Sequence, residues 1–75
     1  MHIPRQREAM LRLAEDVCRK VMGGAAYPLG LNEISVDEHG YGWMSILCGS
    51  AGGYSRKVVV LVKEWRPAVM YLENR

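Results

Sequence analysis

The chain reads as an α+β domain, with one N-terminal amphipathic helix packed on a four-stranded antiparallel sheet (a meander) in two layers. Three observations predict this. Residues 4–22 carry apolar side chains at helical spacing. The remainder is divided by glycines and turn residues into runs of strand length. Two of those runs, Trp43-Met44-Ser45-Ile46-Leu47-Cys48 and Val58-Val59-Val60-Leu61-Val62, are apolar without alternation, which marks strands with two apolar faces. One helix covers one face of such a sheet, so the other face is expected to meet something outside the fold.

The helix is predicted over 4–22. Pro4 suits a first turn, where its missing N–H costs nothing. Met10, Leu11, Leu13, Ala14, Val17, Cys18, Val21 and Met22 share one half of the helical wheel; Arg5, Glu8, Arg12, Glu15, Asp16 and Arg19 share the other. Glu8–Arg12, Glu15–Arg19 and Asp16–Lys20 are pairs one turn apart in the favourable orientation. Arg19 and Lys20 suit the negative end of the helix dipole, and Gly23-Gly24 stops the helix.

Residues 23–33 read as a connection, with Tyr27, Leu29 and Leu31 available to fold over the second sheet face. Strands are then expected at 34–38, 41–48, 55–65 and 68–73. His39-Gly40 supplies the first turn, Gly49-Ser50-Ala51-Gly52-Gly53 a flexible loop, and Arg66-Pro67 a break. Alternation places Met44, Ile46, Cys48, Val58, Val60 and Val62 under the helix. Trp43, Leu47, Val59, Leu61, Trp65 and Tyr71 fall on the second face, with Lys57 and Lys63 at its edges.

Size and composition narrow the function. Residues 1–75 make a single domain, near break-even between apolar burial and chain entropy, a size at which oligomerisation or docking often adds stability. Ten basic against eight acidic residues is far from the charge of a dedicated nucleic-acid binder. No apolar run approaches a membrane span, and Met-His-Ile-Pro-Arg-Gln-Arg-Glu lacks the apolar core of a signal peptide. The expectation is a soluble cytoplasmic protein with reduced thiols and no membrane partner.

No catalytic or metal constellation passes a geometric test, so no enzyme and no cofactor is expected. His39 and Cys48 lie nine residues apart along one hairpin, and the apolar neighbours of Cys48 raise a thiol pKa. Cys18 and Cys48 read as small buried hydrophobes, with at most one internal disulfide between them. His2, His39, Cys18 and Cys48 match no metal-ligand spacing. Asp37 and Glu38 are expected on opposite sheet faces, as solvated residues beside a turn. The glycine-rich loop before Arg56 and Lys57 lacks the Gly-Lys-Ser/Thr ending of a phosphate loop and leads into a strand.

What remains is binding. Trp43, Trp65 and Tyr71 are candidate apolar anchors, and Lys57, Lys63 and Arg66 candidate electrostatic guides, the composition of interface hot spots. Tyr54 and Arg56 join them at the loop tip. The alternative is a small nucleic-acid-binding regulator: Arg56, Lys57, Lys63 and Arg66 lie along one strand with Tyr54 and Trp65 interleaved, though the basic residues alternate between faces and Glu64 and Glu73 dilute them. A homodimer, through the second face or through an edge strand, is a further expectation.

Ile34-Ser35-Val36 followed by His39-Gly40-Tyr41-Gly42-Trp43-Met44-Ser45-Ile46 resembles the strand–glycine–aromatic–strand segment of large polyvalent protein-associated domains of phages and conjugative elements. The resemblance covers about a dozen residues and implies a mobile-element origin. It implies in turn a small inhibitor, anti-CRISPR-like, that occludes a surface on a host protein or nucleoprotein complex. It carries no functional residues over.

Overall fold

In the computed structural model, which describes residues 3–72 and side chains from residue 6 onward, the helical spacing becomes α1 (Ile3–Met22). His2, Glu73 and the side chain of Arg5 lie outside what is described. Leu13, Ala14, Val17 and Cys18 are buried, while Arg12, Glu15 and Arg19 are exposed, as the amphipathic pattern requires. Asp16 and Lys20 close their ion pair at 3.2 Å.

Four strands follow: β1 (Tyr27–Val36), β2 (Gly42–Gly49), β3 (Ser55–Lys63) and β4 (Arg66–Leu72). They form one antiparallel sheet in the order β1-β2-β3-β4, a meander with the helix on one side. The α+β two-layer fold is therefore the one the sequence predicts. Met44 stands opposite Val60, Ile46 opposite Val58, and Gly42 opposite Val62. All six residues expected under the helix are there: Met44, Ile46, Cys48, Val58, Val60 and Val62 are at most 2 % exposed. Burying each aliphatic side chain of this kind stabilises the fold by about 1.5–3 kcal/mol before entropy is counted.

The first strand differs from expectation. It begins at Tyr27, so residues 27–33 are part of the sheet, and they cannot fold over the second face. Pro28, Gly30 and Asn32 are poor strand formers. They are tolerated because β1 is an edge strand, whose register shifts between Pro28 and Gly30 and again between Leu31 and Glu33. The shifts reset the alternation, which hides the strand from a period-two reading.

The hairpin turns also differ in detail. Asp37 and Glu38 lie in the β1–β2 turn, not in a strand. The Asp37 Oδ1 accepts hydrogen bonds from the backbone N–H groups of His39 (2.9 Å) and Tyr41 (3.0 Å), an Asx turn. Gly42, at φ 149°, leaves no room for a Cβ against the Ser35 carbonyl. The third strand ends at Lys63 rather than at residue 65. Glu64 and Trp65 form a two-residue turn with both φ values positive (51° and 63°), the signature of a type I′ hairpin. β4 accordingly starts at Arg66, earlier than expected, and its described part ends at Leu72.

The expectation of reduced thiols does not hold. Cys18 and Cys48 are both fully buried and are bonded to each other, with Cα atoms 5.4 Å apart. The disulfide joins the helix to the end of β2, and bonds of this kind form and persist in oxidising surroundings. Among the described residues, no helix is long and apolar enough to cross a membrane.

Candidate partner-binding face

Strand pairing determines which side chains share the face away from the helix. Trp43 stands opposite Leu61, and Leu61 opposite Val69. In the next row Ser45 stands opposite Val59, and Val59 opposite Tyr71. In the third, Leu47 stands opposite Lys57. The face spans β2 to β4, about 10 Å across three strands at the usual strand spacing. No described segment covers it: Trp43 is 37 % exposed, Leu61 38 %, Val69 42 % and Tyr71 54 %.

Two details set this face apart from an ordinary solvated sheet surface. Ser45 lies at its floor, 1 % exposed among larger neighbours, and its hydroxyl has no hydrogen-bond partner among the described residues. A buried unpaired hydroxyl costs about 1–3 kcal/mol. At one end of the face Lys63 stands directly opposite Arg66 across the type I′ turn. Like charges placed this way are destabilising, and neither has an ion-pair partner among the described residues. A carboxylate arriving from outside would relieve the repulsion.

Of the eight residues expected to bind a partner, five share this face: Trp43, Lys57, Lys63, Arg66 and Tyr71. Tyr54 and Arg56 do not. Arg56 pairs with Cys48 and so belongs to the helix side. With Val21, Met22, Ser50 and Ser55 they line an open cleft of about 490 Å³ beyond the helix C-terminus. The partial negative charge at that end of a helix disfavours an anion there, so the cleft does not revive a phosphate reading. Trp65 is also elsewhere. It lies in the β3–β4 turn, where its backbone N–H donates to the Gly40 carbonyl at 3.1 Å and its ring lies against Gly40. It joins two hairpin tips rather than anchoring the face.

Three members of the site were not singled out from sequence as binding residues: Val69, Ser45 and the juxtaposition of Lys63 with Arg66. Val69 and the Lys63–Arg66 juxtaposition depend on the β3–β4 register, whereas Ser45 is placed by the β2–β3 pairing. A positive-φ turn at Glu64-Trp65 has no glycine or asparagine to announce it. The remaining chemistry is local. The backbone N–H of Tyr41, followed by that of His39 and the imidazole charge of His39, holds the Asp37 carboxyl below its ordinary value; partial desolvation opposes this. Cys48 is bonded to Cys18, so it offers no thiolate to a substrate or metal. Comparison of the chain with protein-family models, with curated proteins and with solved structures gives no match.

Proposed function

We propose that this chain is a small non-enzymatic binding protein that docks its open sheet face on an acidic, partly apolar protein surface. In the mobile-element reading it is an inhibitor, anti-CRISPR-like, that occludes a surface on a host defence complex. The observation that carries the binding proposal is the uncovered face itself, with apolar and aromatic side chains in its centre and, at its rim, a Lys63–Arg66 pair with no ion-pair partner among the described residues. Lys57, Lys63 and Arg66 would steer an acidic partner into encounter. Trp43, Leu61, Val69 and Tyr71 would be desolvated in the complex and hold it.

The test compares wild-type bait with two variants, Trp43→Ala and the double variant Lys63→Glu/Arg66→Glu, against a host extract. The expected result is one partner retained by the wild type and lost by both variants, with circular dichroism unchanged. Equal retention by Trp43→Ala would remove the face from the mechanism.

A second reading has an observation of its own. Lys57, Lys63 and Arg66 share the open face with two rings, Trp43 and Tyr71, while Arg56 lies on the helix side, so the cations divide between the faces as the sequence suggests but three of the four gather on one. A basic sheet face with stackable rings suits single-stranded nucleic acid. Fluorescence polarisation with a labelled oligonucleotide decides it: affinity falling steeply with salt supports this reading, and no binding at low salt eliminates it.

A further inference from the structure

The two edges of the sheet are built differently. Edge β1 carries Pro28, which lacks a backbone donor, two register shifts, and the charged Glu33. These are devices that block the addition of another strand. Edge β4 carries Arg66, Pro67 and one register shift at its start, between the partners of Leu61 and Val62, and from Val69 to Leu72 it is regular and free of such devices. Over that stretch both faces are apolar and partly exposed, the helix side included although α1 approaches it: Val69 is 42 % exposed, Met70 39 %, Tyr71 54 % and Leu72 43 %. No charged residue lies between Pro67 and Leu72. That stretch of the edge presents an unprotected row of backbone donors and acceptors.

We propose that β4 pairs antiparallel with β4 of a second copy of this chain, about a two-fold axis perpendicular to the sheet, giving one continuous eight-stranded sheet. The argument for a second copy is self-complementarity. Residues directly opposite in an antiparallel pair share a face. Pairing centred on Met70 therefore sets Val69 opposite the partner's Tyr71, a β-branched residue beside a ring. It sets Leu72 opposite the partner's Ala68, large beside small. Met70 meets the partner's Met70 on the axis, where two identical side chains must accommodate each other and an unbranched thioether adapts best. The antiparallel arrangement also puts the two Arg66 cations at opposite ends of the seam. Each contact off the axis is made twice.

The arrangement leaves both helices on one side and both open faces on the other. The rows that end at Val69 and Tyr71 then continue into the second copy, so the binding face doubles in width. This inference stands whether or not that face binds an acidic partner.

Light scattering on the size-exclusion peak, from low to high micromolar concentration, tests the proposal. The wild type is expected to approach twice the 8.5 kDa chain mass. Met70→Lys is expected to be monomeric with unchanged circular dichroism, while Leu61→Lys, on the open face, stays dimeric. Met70→Cys is expected to cross-link two chains under mild oxidation, which reads the register even if the lysine variant folds poorly. A wild-type monomer at every concentration overturns the proposal. So does a dimer that Leu61→Lys dissociates and Met70→Lys does not, or a Met70→Cys chain that fails to cross-link.

Discussion

The two faces of the sheet draw on the same strands, and β2 and β3 are apolar on both, yet the faces are chemically different. Under the helix the side chains are Met, Ile, Val and a bonded cysteine, buried to 2 % exposure or less. On the other side Trp43, Leu61, Val69 and Tyr71 are at least 37 % exposed and are bounded by Lys57, Lys63 and Arg66. A face whose cover is part of the same chain can be purely aliphatic, because its complement folds with it. A face that must also stand in water carries rings with amphipathic edges and a charged margin. An unbroken apolar run therefore need not mean that both faces are buried within the chain.

The contrast breaks most visibly under truncation. Ile46→Ala should cost roughly 3–4 kcal/mol in urea unfolding, and Leu61→Ala about 1 kcal/mol or less, because only the first leaves a cavity in a closed interior. Equal losses would mean that the open face is core. Next in size is the disulfide, which lies wholly on the covered side and closes a loop with a sequence separation of 30. The Cys18→Ala/Cys48→Ala variant should lose about 3 kcal/mol, visible as a lower thermal midpoint. A variant as stable as the wild type would show that helix packing alone holds the layers together.

Ser45 sharpens the comparison with an effect of opposite sign. Its hydroxyl is buried on the open face without a partner among the described residues, so Ser45→Ala should be neutral or stabilising by up to about 1 kcal/mol. A clear loss of stability by chemical denaturation would reveal a hydrogen bond that the fold does not otherwise show.

The smallest effect belongs to Asp37. Its carboxyl is held below the ordinary value of 3.8, chiefly by the Tyr41 N–H. A depressed folded-state pKa contributes stability above the unfolded pKa, and that contribution is lost as pH falls through the folded value. Thermal midpoints of wild type and Asp37→Asn, followed below about pH 4, should converge as the carboxyl protonates. A constant gap would mean that the turn does not depend on the charge.

The helix and the covered face were legible in the sequence because each obeys one unbroken period. The β2–β3 pairing has no register shift, so alternation places Met44, Ile46, Val58 and Val60 correctly from one end to the other. β1 was not legible because its two shifts break the alternation, and its Pro28, Gly30 and Asn32 read as a loop. Trp65 was placed on the open face because it continues the parity of β3. The two positive φ values that turn it aside are supported by the hydrogen bond to Gly40, a contact between hairpins that no local pattern contains. The open face was legible as a set of residues on β2 and β3, but its Lys63–Arg66 margin required the turn.

The separation of the two tryptophans has a spectroscopic consequence. Trp65 is half-buried where the tips of two hairpins meet, so its emission should follow the integrity of the fold. Trp43 is 37 % exposed on the open face, so its emission should follow occupancy of that face. A chain carrying Trp43→Phe then reports unfolding, and one carrying Trp65→Phe reports binding. The protein holds two separable optical signals, one for each question asked of it, without an added dye.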